Sequence, residues 1–273
     1  LSADLAEKYN KKIYFLWERT GYKDVITNQD VFRLFTNTAK GIFVLNSAQK
    51  RQLLDNNVPE SKIRLLSPGV DTTEFSPVSL EQKNTRRKNL GFNLEAITGL
   101  SVARFERRKR SELLIETWIN HIFLNESHLI IVGTGFDRID STESIINDLI
   151  SRSKNITLVK YHAGLNRSQF YQACDYFISA GTVEGEPSVI SEAMACGLPV
   201  IASDIEGHKH LVRNNITGFL FNPDDENSLQ VCLNRMIKNT ELRLQMGRAA
   251  RQLILKERDI FVVADKFISF LFS

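Results

Sequence analysis

Short apolar runs alternate along this chain with stretches whose apolar positions recur at helical spacing. Lys12–Trp17, Gly41–Leu45 and Ile63–Leu66 are compact apolar runs that read as buried strands. Between the first two, Val31, Leu34, Phe35 and Thr38 fall on one helical face over residues 28–39. Ser47 is a good N-cap for a helix over 48–56. Beyond residue 93 the alternation becomes regular. Strands are expected near 96–103, 128–132, 156–160, 175–179, 198–203 and 218–221. Helices are expected near 110–122, 142–152, 167–173, 188–196, 207–213, 226–238 and 241–256. Strand after helix after strand predicts an α/β chain with a parallel sheet. The second half reads as a Rossmann-like, doubly wound parallel sheet, preceded by a partial second α/β domain. A ligand of such a sheet sits at the carboxyl ends of its strands.

This pattern divides the chain. Residues 1–71 hold about 70 residues of strand and helix, less than a full domain. Residues 72–93 are polar, contain Pro77 and the basic run Arg86–Lys88, and read as a linker. Residues 94–257 form the larger domain. The tail, 258–273, is apolar on more than one face between Phe261 and Phe272. Packing against the rest of the protein is the expected use of that tail. Peripheral contact with a membrane surface is the alternative.

Composition narrows the class without naming it. Apolar residues are 42% and charged residues 25%, as in ordinary globular proteins. A net charge of +3 is too mild to argue for nucleic acid, and the basic stretches lack interleaved aromatics for base stacking. No apolar run reaches the length of a membrane span. Cys174, Cys196 and Cys232 lack metal-ligand spacing and read as buried thiols of a reducing, cytoplasmic compartment.

The candidate chemistry lies in the larger domain. Glu184 and Glu192 stand eight residues apart, the first on a Gly/Pro-bearing loop and the second within a helix. A ligand with two separated polyol parts, such as a nucleotide sugar, needs two carboxylates placed in this way. The helix N-terminus between them favours negative charge. The amides around Gly185, Glu186, Pro187 and Ser188 can face a sugar and phosphate. Glu192 borders the apolar positions Val189, Ile190, Ala193 and Met194, so a buried carboxylate there requires a partner. Arg104 follows a predicted strand and Lys109 opens the next helix. Two fixed cations suit a diphosphate, each charge-assisted bond being worth about 1.5–3 kcal/mol. Read by itself, Arg107–Arg110 is equally a solvated basic cluster. Gly133 and Gly135 mark a strand-to-helix turn, read either as a tight turn with positive φ or as ligand contact. His208 and His210 have no acidic or thiol cluster beside them and are not expected to hold a metal. His162 reads as structural. No Ser/His/Asp order or Cys/His pair points to a hydrolase.

Four segments together resemble the retaining glycosyltransferases of family four, the glycosyl transferases group 1, which have the GT-B fold. Glu184–Glu192 resembles the family's two-glutamate motif, and Val102–Lys109 its Arg and Lys segment. Ile131–Gly135 resembles its second strand and Gly turn. Pro68–Asp71 with Phe75 resembles the crossover into its C-terminal domain. They occur in family order from about residue 41 to 222.

The resemblance implies a GT-B C-terminal, nucleotide-sugar-binding domain at 94–257, the end of an acceptor-side domain at 1–71, and a last helix returning to that domain. It implies transfer of a sugar from a UDP- or GDP-sugar with retention at the anomeric carbon. Arg104 and Lys109 would hold the diphosphate, Glu184 the sugar and Glu192 the ribose, with no cofactor and no metal. The acceptor, whether glycan, lipid or protein, stays open. A nucleotide-sugar-binding module without transfer activity and a GT-B-like sugar-nucleotide epimerase are the alternatives. The chain departs from the family at Arg110, where Gly is usual, at Glu186–Pro187, where Phe-Gly is common, and at Glu206, Lys209 and His210. Glu18 is the residue the chain offers in place of the family's N-terminal histidine, and a chain lacking most of that domain is expected to bind donor but transfer poorly.

Overall fold

The computed structural model describes residues 14–17, 37–120, 127–134, 141–162 and 165–272. Its chain contacts divide it into two units, Leu1–Gly69 with Phe261–Ser273, and Val70–Ile260.

The smaller unit contains strands β1 (Tyr14–Trp17), β2 (Gly41–Val44) and β3 (Ile63–Leu65), with helix α1 (Ser47–Asp55) between β2 and β3. The strands are parallel in the order β1-β2-β3. Most of the helix expected over 28–39, and Glu18, lie outside the described residues. Ile42, Val44, Leu53, Val58 and Ile63 close a small core. Helix α1 is capped by Asn46 and not by Ser47. Asn46 is the extended residue at the boundary, and its side chain accepts from the Gln49 amide at 2.9 Å. Asn and Ser cap about equally well, so residue type alone could not choose between neighbours. The last helix, Ile260–Phe272, lies on this unit: Phe267 and Phe270 stand 5.1 and 6.2 Å from the Phe43 ring. Phe261, Ile268 and Phe272 of the same helix are exposed. Among the described residues no helix is long and apolar enough to cross a membrane.

The larger unit begins with helix α2 (Leu80–Leu90), inside the stretch read as a linker. Ser79 and Gln82 form a reciprocal capping box, and Gly91 ends the helix at φ 70°. The polar composition is misleading because Arg87 is buried as an anchor. Its guanidinium donates to the carbonyls of Ala173, Leu94 and Ala96 and pairs with Asp175 at 2.6 Å.

The remaining elements are β4 (Ile97–Arg104), α3 (Ser111–Asn120), β5 (Ser127–Thr134), α4 (Glu143–Ser151), β6 (Ile156–Lys160), α5 (Ser168–Ala173) and β7 (Tyr176–Ser179). They continue with α6 (Ser188–Ala195), β8 (Val200–Ser203), α7 (Glu206–Lys209), β9 (Gly218–Phe221), α8 (Glu226–Lys238) and α9 (Thr240–Glu257). All six strands pair in parallel, in the order β6-β5-β4-β7-β8-β9. Each matches its expected strand to within a few residues. The helix expected over 207–213 is shorter: after α7, the Thr217 hydroxyl receives the Arg213 amide at 2.9 Å and turns the chain into β9.

Alternating strand residues face two cores, as parallel strands covered on both faces require. Leu100, Ile130, Val132, Phe177 and Val200 join one core with α6 and α9. Leu129, Ile131, Ile178, Ile201 and Phe219 join the other with α3, α4 and α8. The winding reverses between β4 and β7, and this crevice is where such folds place their ligands.

Candidate functional site

A cavity of about 310 Å³ opens at the carboxyl ends of β4 and β5. Arg104, Lys109, Gly133, Tyr161, Arg167 and Val189 contribute to its lining. Three of these, Arg104, Lys109 and Gly133, are residues expected from the sequence. Gly135 lies outside the described residues.

Arg104 is the last residue of β4, and Lys109 comes from a turn, not from a helix start. After β4 the chain forms a 3-10 turn, Arg107–Lys109, and α3 begins only at Ser111. The buried Glu106 holds this turn from inside. It pairs with Arg104 at 2.5 Å and with Arg108 at 2.8 Å. The Arg108 carbonyl accepts the Thr182 amide at 2.9 Å, which ties the turn to the loop after β7. Arg110 has φ 50°, a left-handed conformation in which Gly is the least strained residue. Its side chain donates to the Pro223 carbonyl at 2.5 Å and is not part of the cavity lining. It therefore neither crowds the cavity nor adds a third cation there.

Glu184 is nearly buried and ion-paired with Lys109, while Arg108 lies 3.5 Å from its other oxygen. Its loop is fixed from below. A Cβ on Gly207 would come within 2.2 Å of the Glu184 carbonyl oxygen, so only glycine permits this approach. His208, next in the chain, is fully buried. Its Nδ1 lies 2.9 Å from the Ser203 carbonyl oxygen and its Nε2 3.4 Å from the Ser179 hydroxyl. Burial lowers its pKa, with the Ser203 contact, then Glu184, acting the other way. His208 thus acts as a neutral brace joining the ends of β7 and β8 beneath the Glu184 loop. His210 lies 3.8 Å from Glu206. Among the described residues, no group of three His, Cys, Asp or Glu side chains is placed to hold a metal ion.

The helix between the two glutamates is α6, which starts at Ser188 after Pro187 with no side-chain cap. Glu186 turns its buried carboxylate to Arg258 at 3.0 Å. Glu192 is 5% exposed. It accepts from the Tyr171 hydroxyl at 2.7 Å and pairs with Arg167 at 3.2 Å. Burial raises its pKa, and the Tyr171 hydrogen bond and the Arg167 charge oppose that rise. Glu184 and Glu192 each stand one contact behind the cavity wall, through Lys109 and Arg167.

Gly133 does not have the positive φ considered for it. Its Cβ would fall 2.0 Å from the Ala103 carbonyl oxygen and 2.9 Å from the Phe105 ring, so glycine is required by close strand packing at the cavity floor. Sequence reading missed Glu106, Tyr161, Arg167 and Tyr171. Arg167 carried the clearest signal: a cation just before a helix, after the carboxyl end of a strand. His162 is exposed. All three cysteines are free and buried.

Comparison with known proteins decides the family. The sequence model described as glycosyl transferases group 1 matches residues 82–253, more than half of the chain. The chain belongs to this family. Among its relatives, an uncharacterized glycosyltransferase of Methanocaldococcus jannaschii is 26% identical over 68% of this chain and 48% of its own. A D-inositol 3-phosphate glycosyltransferase of Thermobifida fusca is 28% identical over 69% of this chain and 45% of its own. This group 1 chain thus spans about half the length of those curated relatives. A solved structure of HepE from Anabaena, in complex with UDP and glucose, superposes with TM-score 0.85 at 18% identity. It covers 100% of this chain and 74% of HepE, and it establishes the shared fold.

Proposed function

We propose that this group 1 protein transfers a sugar from a nucleoside-diphosphate sugar to an acceptor, retaining the anomeric configuration. The observation that carries the reading is the pairing of Lys109 with Glu184 beside a cavity also lined by Arg104, at the switch point of the parallel sheet. Relatives support the donor class: one is a GDP-mannose-dependent mannosyltransferase of Corynebacterium glutamicum, another a UDP-galactose-dependent galactosyltransferase of Escherichia coli. The base, the sugar and the acceptor of this chain are not specified by them.

In this reading the donor diphosphate lies against Arg104 and Lys109, with the amides at the start of α6 adding positive potential. Charge accumulates on the leaving phosphate oxygen as the glycosidic bond breaks. Fixed cations that meet it there lower the barrier without reorganising. Glu184 takes hydroxyls of the transferred sugar, and Lys109 then divides its charge between Glu184 and the phosphate. Glu192 takes the ribose hydroxyls. The Gly133 backbone and the backbone of Gly185, Glu186, Pro187 and Ser188 complete the donor surface. Cationic side chains do the work that a divalent metal does in metal-dependent transfer.

Steady-state kinetics on Glu184→Gln and Glu192→Gln test the assignment, with product configuration read by NMR of the anomeric proton. Glu192→Gln raises the donor KM, because the ribose does not change during reaction. Glu184→Gln lowers kcat by about 10²-fold, as for one preorganised transition-state contact. An inverted product, or a purely kcat effect at Glu192, contradicts the reading.

A further inference from the structure

Glu192 is a buried carboxylate whose two oxygens are engaged by two different groups. Tyr171 donates to Oε2 at 2.7 Å, and Arg167 faces Oε1 at 3.2 Å. Both come from the α5 region, Arg167 immediately before its first residue and Tyr171 within it. They differ in exposure. Tyr171 is fully buried, its ring edge-on to Phe75 and tilted against Phe177, so its hydroxyl is fixed. Burial, then the charge of Glu192, push that hydroxyl well above its usual pKa, so it remains a donor. Arg167 is 38% exposed and lines the cavity, so it meets both Glu192 and whatever enters.

We propose that Arg167 and Tyr171 are positioning residues that keep Glu192 an ionised double acceptor, Tyr171 donating to one oxygen and Arg167 pairing by charge with the other, so that the remaining lone pairs meet the two vicinal hydroxyls of a ribose. The inference rests on the assignment of Glu192 to the ribose given above. Each carboxylate oxygen has about two acceptor sites. Tyr171 takes one site on Oε2, and Arg167 pairs with Oε1 by charge, so both oxygens keep acceptor sites for a 2′,3′-diol. A protonated Glu192 would lose this symmetry, one oxygen becoming a donor. The charges that face Glu192 are few. Arg167 favours its ionised form, Glu74 opposes it, and the buried thiol of Cys196 lies nearby. Burial still raises the Glu192 pKa; the Tyr171 hydrogen bond opposes it most, and the Arg167 charge adds to that opposition from the cavity side.

The test is calorimetric titration of UDP, 2′-deoxy-UDP and inorganic pyrophosphate between pH 5 and 8. The proteins are the unaltered chain, Arg167→Gln, Arg167→Lys, Tyr171→Phe and Glu192→Gln. Circular dichroism checks that each variant folds. Arg167→Gln should weaken UDP by roughly tenfold near pH 5 and much less at pH 8, because loss of a neighbouring cation raises a carboxylate pKa. Arg167→Lys should restore most of the pH profile. Tyr171→Phe should reduce the preference for UDP over 2′-deoxy-UDP. Pyrophosphate binding should be unchanged in both Arg167→Gln and Tyr171→Phe. Equal loss of pyrophosphate and UDP in Arg167→Gln would instead make Arg167 a phosphate ligand and overturn the inference. A pH profile unmoved by Arg167→Gln overturns it as well. If Glu192→Gln erases the ribose preference while neither neighbour matters, this inference fails and the ribose assignment stands. If Glu192→Gln leaves the preference intact, or UDP does not bind, both fail.

Discussion

Strand β7 has a carboxylate near each end, and the two have opposite fates. Asp175 directly precedes the strand, and Glu184 lies five residues beyond it. Each meets two cations: Lys83 and Arg87 at Asp175, Lys109 and Arg108 at Glu184. At the Asp175 end the charges are consumed internally. The Thr98 amide also donates to Asp175 at 2.6 Å, and Arg87 spends its other donors on three carbonyls. Burial by itself would raise the Asp175 pKa, but Lys83, Arg87 and the Thr98 amide hold it below the usual carboxylate value. At the Glu184 end, Lys109 reaches the same carboxylate while lining the cavity that Arg104 shares. A small cavity of about 220 Å³ also touches Lys83 and Asp175, so a nearby void does not separate the two cases. Position does: one cluster locks α2 onto the amino ends of the strands, and the other stands at the carboxyl ends, at the switch point.

The largest effect should come from breaking the structural cluster. Asp175→Ala leaves Arg87 buried without its countercharge and should cost about 3–5 kcal/mol of stability in urea unfolding. Unchanged stability would mean that the cluster is not an anchor. Next, Arg104→Ala and Lys109→Ala should each weaken nucleoside diphosphate by about 1.5–3 kcal/mol, roughly tenfold to a hundredfold, with a smaller loss of stability than Asp175→Ala because Arg108 still pairs with Glu106 and Glu184. A stability loss as large as that of Asp175→Ala would erase the contrast between the clusters. Gly133→Ala tests the cavity floor. The new methyl meets the Ala103 carbonyl, and overpacking should cost about 1–3 kcal/mol by thermal unfolding.

The smallest effect is a pH slope from His208. Burial lowers its folded pKa, so below about pH 6.5 the unfolded chain binds a proton that the folded chain does not. Its effect on stability is absent at neutral pH and becomes unfavourable as pH falls from there. His208→Gln should flatten the stability profile between pH 5 and 7, by at most about 1.4 kcal/mol per pH unit. An unaltered slope would show that His208 does not contribute to it.

Much of the fold was legible because strand and helix periodicities in residues 94–257 agree with the sheet they build. The six strands appear as short apolar runs, and motif order supplied the architecture. Arg87 was illegible for a physical reason: a buried arginine satisfied by distant carbonyls looks, in sequence, like any surface cation. The same limit hid the role of Arg167, whose partner Glu192 comes from a different element, whereas Glu106 was overlooked although Arg104 and Arg108 flank it two residues to either side. Arg110 was legible as a departure from Gly, but its destination at Pro223 depends on a contact 113 residues away. Gly133 was recognised as special, though the cause is a neighbouring strand's carbonyl and not the turn.

The cavity beside Arg104 and Lys109 is expected to bind a nucleoside diphosphate, and the Asp175 cluster is not. Calorimetric titration of UDP, GDP and ADP tests it most directly, run in parallel on the unaltered chain, Arg104→Ala and Lys83→Met. The expected result is saturable binding of at least one diphosphate more tightly than millimolar, weakened by Arg104→Ala and indifferent to Lys83→Met. No saturable binding of any of the three, or equal weakening by both substitutions, would contradict it.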